Sequence, residues 1–228
     1  MQPTDAHPRG DEPTLVAVRP MEAADLDFAA RLHAQALGHG LFPALGEGFL
    51  RRYLATYRSS AHAVALVAED RGAALGFIVG TLDPAAHRQE VLARHGTTLV
   101  VAGSLGLVRR PRVAAWFLRT RAVRYASGLL RVVRRRAPAA PGGARTGPVA
   151  VLNHVAVSPE ARGRDVGTHL VDAFLGAVRG AGVPAARLVT LADGEGAGAF
   201  YRRLGWQEAG GYVDRDGVSW DRYEVSVP

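Results

Sequence analysis

Arg162-Gly163-Arg164-Asp165-Val166-Gly167-Thr168 joins an apolar run that ends at Ser158-Pro159 to an amphipathic stretch. The run Val149 to Val157 reads as a strand. Asp165 to Gly180 carries Val166, Leu170, Phe174 and Ala177 at helical spacing and reads as a helix. The first N–H groups of a helix have no partner inside it, and they sit at the positive end of its dipole. A strand, tight turn and helix in this order therefore make a seat for an anion, and suit a pyrophosphate. Gly163 and Gly167 let the backbone come close to such a ligand, Arg162 and Arg164 add positive charge, and Thr168 offers a hydroxyl. Asp165 is the discordant member. Its carboxylate repels a pyrophosphate unless it turns away or caps the helix.

The elements around this turn follow from hydrophobic spacing. Thr14 to Arg19 is predicted as a first strand, and Pro20 opens a turn. Ala23 to Leu37 and Glu47 to Tyr57 are predicted helices, the first stopped by Gly38 and Gly40. Ala63 to Glu69 and Ala74 to Leu82 flank Asp70-Arg71-Gly72 and predict a hairpin. Ala85 to Arg94 and Leu99 to Val108 read as two helices, and Pro111 opens another that runs through Val113 to Arg136. Ala137 to Pro148, rich in Pro, Gly and Ala, reads as a connector. After the strand–turn–helix come a short strand (Arg187 to Leu191), a helix (Glu195 to Leu204) and a closing hairpin (Trp206 to Val213, Val218 to Val227). Strands alternating with helices in this half predict a mixed α/β sheet with parallel character there.

Composition narrows the class. With 228 residues and 48% hydrophobic residues, a sizeable core is affordable. There is no Cys, which excludes disulfides, a catalytic thiol and thiolate metal sites. His33, His39, His62, His87 and His95 show no paired metal spacing with carboxylates, so no metal is expected. Met1 to Pro13 is polar, lacks the apolar stretch of a signal peptide and reads as a loose tail. No run of 18 apolar residues occurs, so no transmembrane helix is expected, and the chain reads as cytoplasmic. All 28 basic residues are Arg. Residues 84–147 hold 13 of them against the single acid Glu90, a net of +12, while the rest of the chain is net −5. The basic stretch has three readings: solvated faces of an inserted cap, a surface for an acidic acceptor or partner protein, or a membrane-binding surface over residues 109–136. No groove-reading motif accompanies the charge, so no nucleic acid is expected.

The turn resembles the acyl-CoA motif of the GNAT superfamily of N-acetyltransferases, Arg/Gln-x-x-Gly-x-Gly/Ala after a strand ending in Val-x-Pro. Arg162 takes its first position and Gly167 its last, with Asp165 where a middle Gly is usual. Gly194-Glu-Gly-Ala-Gly-Ala-Phe-Tyr-Arg-Arg-Leu-Gly-Trp206 is similar to the family's Asn-x-x-Ala-x-x-Phe-Tyr-x-x-x-Gly-Phe. Ala197, Phe200, Tyr201, Gly205 and Trp206 match, and Gly194 replaces the Asn that contacts the pantetheine arm. Val18-Arg19-Pro20 with Ala24-Asp25 is also family-like.

The resemblance covers roughly residues 14–82 and 148–227 and implies a single acyltransferase domain, 14–228. Its mixed, mostly antiparallel sheet would be flanked by helices, with a basic helical insertion (84–147) between the third and fourth strands. It implies acetyl-CoA or another acyl-CoA as co-substrate and a primary amine as acceptor, of the small-molecule or glycan-precursor kind. Val155, Ala156, Val157, Arg162, Gly163, Arg164, Asp165, Val166, Gly167, Thr168, Gly194, Ala197, Phe200 and Tyr201 would line the acyl-CoA site. A backbone N–H of Ala156 or Val157 would hold the oxyanion, and Tyr201 would protonate the leaving thiolate. His154 is the nearest titratable group on the strand and the candidate base, with Glu47 and His33 as weaker choices. A non-catalytic binding or scaffold module on the same fold is the other reading, and the oligomeric state stays open.

Overall fold

The computed structural model describes residues 16–37, 41–112, 114–115, 148–192, 197–214 and 217–228. The expected tail (1–13), the stop at Gly38 and Gly40, most of the predicted helix to Arg136, nearly all of the connector and Gly194 lie outside the described residues.

The elements in chain order are β1 (Ala17–Pro20), α1 (Leu26–Ala36), α2 (Leu41–Leu45), α3 (Glu47–Ser59), β2 (Ala63–Asp70), β3 (Ala73–Thr81) and α4 (Pro84–Val108). Then come β4 (Ala150–Val157), a 3-10 turn at Pro159–Ala161, α5 (Val166–Gly180), β5 (Ala185–Leu191), α6 (Ala197–Arg203), β6 (Gln207–Val213) and β7 (Ser219–Ser226). The strands form one seven-stranded sheet in the order β1-β2-β3-β4-β5-β7-β6. Every neighbouring pair is antiparallel except β4 and β5. The parallel character predicted for the second half is confined to that one pair.

Helices cover both faces of the sheet. On one, Leu170, Val171, Phe174 and Val178 of α5 pack with Ile78, Leu152 and Leu188. On the other, Leu26, Ala29, Leu50, Leu54 and Tyr57 of α1 and α3 pack with Val67, Phe77, Val79 and Ala156. β3 lies between these layers, which is why its sequence is an almost unbroken apolar run. Gly80 on β3 is a packing requirement: a Cβ there would meet the Phe174 ring at 2.4 Å and the Val151 carbonyl oxygen at 2.7 Å.

Two expectations change in the stretch between β3 and β4. The two helices predicted for 85–94 and 99–108 are one helix of 25 residues. Asp83 caps it by accepting from the N–H groups of Ala85 and Ala86, and Gly96-Thr97-Thr98 is too weak a breaker to interrupt it. Gly103 and Gly106 face α2 and the start of α3, where a Cβ on Gly106 would meet the Leu45 carbonyl oxygen at 2.6 Å. Among the described residues α4 is also the one helix long and apolar enough, by length and composition, to cross a membrane, contrary to the sequence expectation. The expectation counted only unbroken apolar residues, whereas Thr, Gly and Ser in α4 dilute the run without adding charge. After a break at Arg109 and Arg110, residues 111–112 and 114–115 are again helical, as expected from Pro111. The five-residue α2 was not anticipated.

Candidate active site

β4 is a full partner of β3 but not of β5. Its parallel pairing with β5 covers only Ala150↔Ala186 and Val151↔Arg187. From Leu152 to Val157 the two strands diverge, so the β5-facing edge of β4 keeps backbone groups with no strand partner. Near the head of this opening lies the Arg-Gly turn. The Ser158 N–H donates to the Leu75 carbonyl at 2.8 Å, and Ala161 is buried beneath the turn.

Gly163 and Asp165 both adopt left-handed backbone, with φ of 77° and 54°. Asp and Asn are among the few non-glycine residues that tolerate this region, which lets Asp165 stand in a position that favours Gly. Asp165 is the N-cap of α5, but its exposed side chain makes no capping hydrogen bond. The first intrahelical bond runs from the His169 N–H to the Asp165 carbonyl at 3.0 Å, so the N–H groups of Val166, Gly167 and Thr168 precede the ladder. Gly167 sits where a Cβ would be 3.3 Å from the Phe200 ring and 3.8 Å from Val157, so the start of α5, α6 and the open part of β4 converge there. Arg162 is exposed. Arg164 does not stand free in the turn, because its guanidinium donates to Asp70 Oδ2 at 2.7 Å across the β2–β3 hairpin.

Tyr201 is held by local geometry. The Trp206 N–H donates to the Tyr201 carbonyl at 3.1 Å and the Gly205 N–H to the Arg202 carbonyl at 3.0 Å, with Gly205 at φ 83°. This pair of bonds is a Schellman motif, which needs a left-handed residue such as glycine and brings Trp206 back onto Tyr201. The two rings lie 5.8 Å apart, with Phe200 at 5.2 Å and Tyr223 at 6.2 Å from Tyr201. Burial pushes the Tyr201 phenol above its ordinary pKa, so it stays protonated through the neutral range. The Phe-Tyr-x-x-x-Gly-Trp pattern is thus a folding unit in its own right. Ala197 opens α6.

His154 reaches its position through a β-bulge. Leu152 pairs with Gly80 and His154 with Val79, which leaves Asn153 as the extra residue. The extra residue shifts the alternation: Ala150 and Leu152 point into the α5 layer, while Ala156, two residues beyond His154, packs into the α1–α3 layer. His154 accordingly meets α1 and α3. Its Nε2 is 3.2 Å from the Tyr53 hydroxyl, which is 2.7 Å from the Tyr57 hydroxyl, and its ring is 4.6 Å from that of His33.

The candidate base His154 does not keep the ordinary imidazole pKa of about 6.5. Burial first, and then His33, hold it down to about 3. His33 is buried, neither ring nitrogen has a hydrogen-bond partner, and its pKa is lowered to about 4 by burial. Burial pushes Tyr57 up to about 12, so its hydroxyl stays protonated, and either hydroxyl of the Tyr53–Tyr57 pair can donate to the other. The sequence reading missed the meeting of Tyr53, Tyr57, His33 and His154. Tyr53 and Tyr57 stand at i,i+4 spacing on α3, a pattern that an ordinary core face shares. Glu47 is exposed at the start of α3, and no interaction links it to this cluster. No group of three or more metal-ligating side chains is found among the described residues.

A family model described as the acetyltransferase (GNAT) family matches residues 34–206. The chain belongs to the GNAT acetyltransferase family. Solved structures agree on the fold of this GNAT chain. Ard1 from Thermoplasma volcanium superposes with a TM-score of 0.56 at 17% identity, over 93% of this chain and 98% of that one. The ribosomal-protein-S18-alanine N-acetyltransferase from Escherichia coli gives 0.52 at 15% identity, over 93% and 94%. A further acetyltransferase gives 0.57 at 18% identity, over 93% and 100%. No match to the GNAT chain was found among the curated proteins.

Proposed function

We propose that this GNAT protein transfers an acetyl or other small acyl group from acyl-CoA to a primary amine of a small-molecule or glycan-precursor acceptor. The observation that carries the reading is the opening between β4 and β5, with the unladdered N–H groups of α5 near one end and Tyr201 packed behind Phe200. The residues present fit the co-substrate: free helix N–H groups and exposed Arg162 suit a pyrophosphate, and an unpaired strand edge suits an amide-bearing arm.

When bound, acetyl-CoA supplies an activated acetyl thioester. The N–H groups of Val166, Gly167 and Thr168 would hold the pyrophosphate, and the exposed Arg162 of the same turn would add positive charge. The strand edge at Val155, Ala156 and Val157 orients the arm and offers an N–H to the oxyanion as it develops. Tyr201 donates its phenolic proton to the departing sulfur. His154, held neutral, is too weak a base for a free ammonium. The acceptor therefore attacks as the neutral amine, its ammonium proton already lost to solvent water. As the C–N bond forms that nitrogen becomes cationic and far more acidic, and His154 takes this second proton, with the Tyr53 hydroxyl against its Nε2.

The test is incubation with acetyl-CoA and a panel of amines, following release of the CoA thiol. The chain has no Cys to contribute background. Thiol release that depends on both substrates supports the reading. If acetyl-CoA and longer acyl-CoAs neither raise the melting temperature nor release thiol with any amine, the donor assignment is wrong.

A further inference from the structure

α4 runs along α3, and between its last turns and the first turn of α3 lies a groove of about 610 Å³. Three arginines line it, Arg52, Arg109 and Arg110, against one carboxylate, Glu47. All three are exposed. Two are tethered at the mouth of α3: Arg110 donates to the Ala44 carbonyl at 3.3 Å and Arg52 to the Gly48 carbonyl at 2.8 Å. The remaining N–H groups of two guanidiniums are thereby gathered over one helix turn. That turn begins at Gly46, which has φ 93° and no side-chain cap, so its leading N–H groups add to the positive end.

The α4 side is mixed, with Thr97 and Thr98 beside an apolar patch that leads to Arg109. Val101 and Leu105 of α4 line the groove while 67% and 48% exposed, and buried Phe49 closes its inner side. Phe49 stacks parallel to Tyr53, with centroids 6.3 Å apart, and Tyr53 is the residue hydrogen-bonded to His154. Groove and candidate active site are therefore one α3 turn apart, about 6 Å along the axis.

We propose that this groove binds a phosphate or carboxylate carried on an apolar chain, as the distal part of the acceptor amine. The assignment of the amine end rests on the acyl-transfer reading above; the anion site itself does not. Three guanidiniums facing a single carboxylate disfavour a polyamine or a lysine-rich peptide, and the exposed Val101 and Leu105 disfavour a bare inorganic anion. The chemistry is that of a soluble amphiphilic acid or of a lipid headgroup with its first methylenes.

Calorimetric titration of the full chain with hexyl phosphate, hexanol and hexylamine tests this. Hexyl phosphate is expected to bind with a Kd at or below about 1 mM, and the other two at least tenfold more weakly. The Arg52→Gln/Arg109→Gln double variant, with folding checked by circular dichroism, is expected to lose at least tenfold in hexyl phosphate affinity, and Val101→Asp to weaken it as well. Equal binding of hexanol and hexyl phosphate by the wild type overturns the proposal without recourse to any variant. So does unchanged binding by a folded double variant.

Sedimentation with phosphatidylcholine vesicles, with and without phosphatidylglycerol, separates the sources. Selective binding to anionic vesicles that the double variant abolishes points to a lipid headgroup. Hexyl phosphate binding without vesicle binding points to a soluble ligand. Acetyl-CoA titrations run in parallel keep the two readings apart. If acetyl-CoA fails to bind while hexyl phosphate binds, acyl transfer falls and the groove stands; the converse result removes the groove alone.

Discussion

Asp165 offers the sharpest quantitative test of the acyl-CoA site. It holds a left-handed N-cap position, at φ 54°, and its exposed carboxylate caps nothing. A pyrophosphate on the first turn of α5 would lie about 7 Å away, roughly the span of one turn with its side chain. In water, two phosphate charges at that distance repel the carboxylate by about 1.2 kcal/mol before screening. With a Debye length of about 8 Å in 0.15 M salt, about 0.5 kcal/mol remains, and about 0.9 kcal/mol in 0.01 M salt. Asp165→Asn removes the charge and keeps a residue that tolerates the backbone. It should tighten acetyl-CoA binding about twofold at 0.15 M salt and about fivefold at 0.01 M salt. Asp165→Gly should show the same gain and also relieve the left-handed strain, about 1 kcal/mol less the entropy that Gly adds to the unfolded chain. Calorimetric titration at the two salt concentrations reads the first effect and urea denaturation the second. If Asn leaves the affinity unchanged or lowers it, or if the gain does not depend on salt, the pyrophosphate does not sit on this helix turn.

Three further outcomes are expected. Tyr201→Phe should lower kcat at least about a hundredfold in the thiol-release assay while leaving acetyl-CoA affinity within about twofold; intact turnover would remove Tyr201 as the acid. Gly205→Ala has open space for its Cβ, so its cost is that of the φ 83° backbone alone, about 1 kcal/mol in urea denaturation, and no loss would mean that the Schellman turn does not hold Tyr201. His33 is lowered from 6.5 to about 4, so its contribution to stability is present above the unfolded value and is lost as pH falls through 6.5 toward 4, amounting to about 2.5 kcal/mol at pH 4.5. His33→Phe should flatten that part of the stability profile measured by urea denaturation between pH 7 and 4.5, and an unchanged slope would refute the assignment.

The parts of the molecule that were legible in the chain are those whose geometry is local. The strand ending at Ser158-Pro159, the Gly163 turn and the α5 stripe of Leu170 and Phe174 are each set by neighbours within a few residues. The same holds for Tyr201, Gly205 and Trp206, whose spacing is that of a helix closed by a left-handed glycine. The hairpin of β2 and β3 was readable from Asp70-Arg71-Gly72 between two apolar runs. α4 was read as two helices because Gly96 and two threonines lower local propensity. What keeps it whole is its packing along α3, which no local signal reports.

Tertiary structure alone decided where the chemistry faces. The spacing of β4 shows a strand but not that Asn153 bulges, and it is the bulge that turns His154 toward α1 and α3. Nor does any spacing show that β5 leaves β4 after Val151, because strand divergence depends on twist and on what packs against each strand. Arg164 was counted with the turn until the hairpin brought Asp70 to it. His33, a helix residue 121 positions before His154, has its basicity set by burial against that strand. The sequence by itself determined the turn, the Phe-Tyr-x-x-x-Gly-Trp helix end and the family they belong to, since bond rotation and side-chain spacing act over one or two turns. Which groups meet, and with what basicity, waited on the fold, since desolvation and long-range contact exist only once the layers have closed.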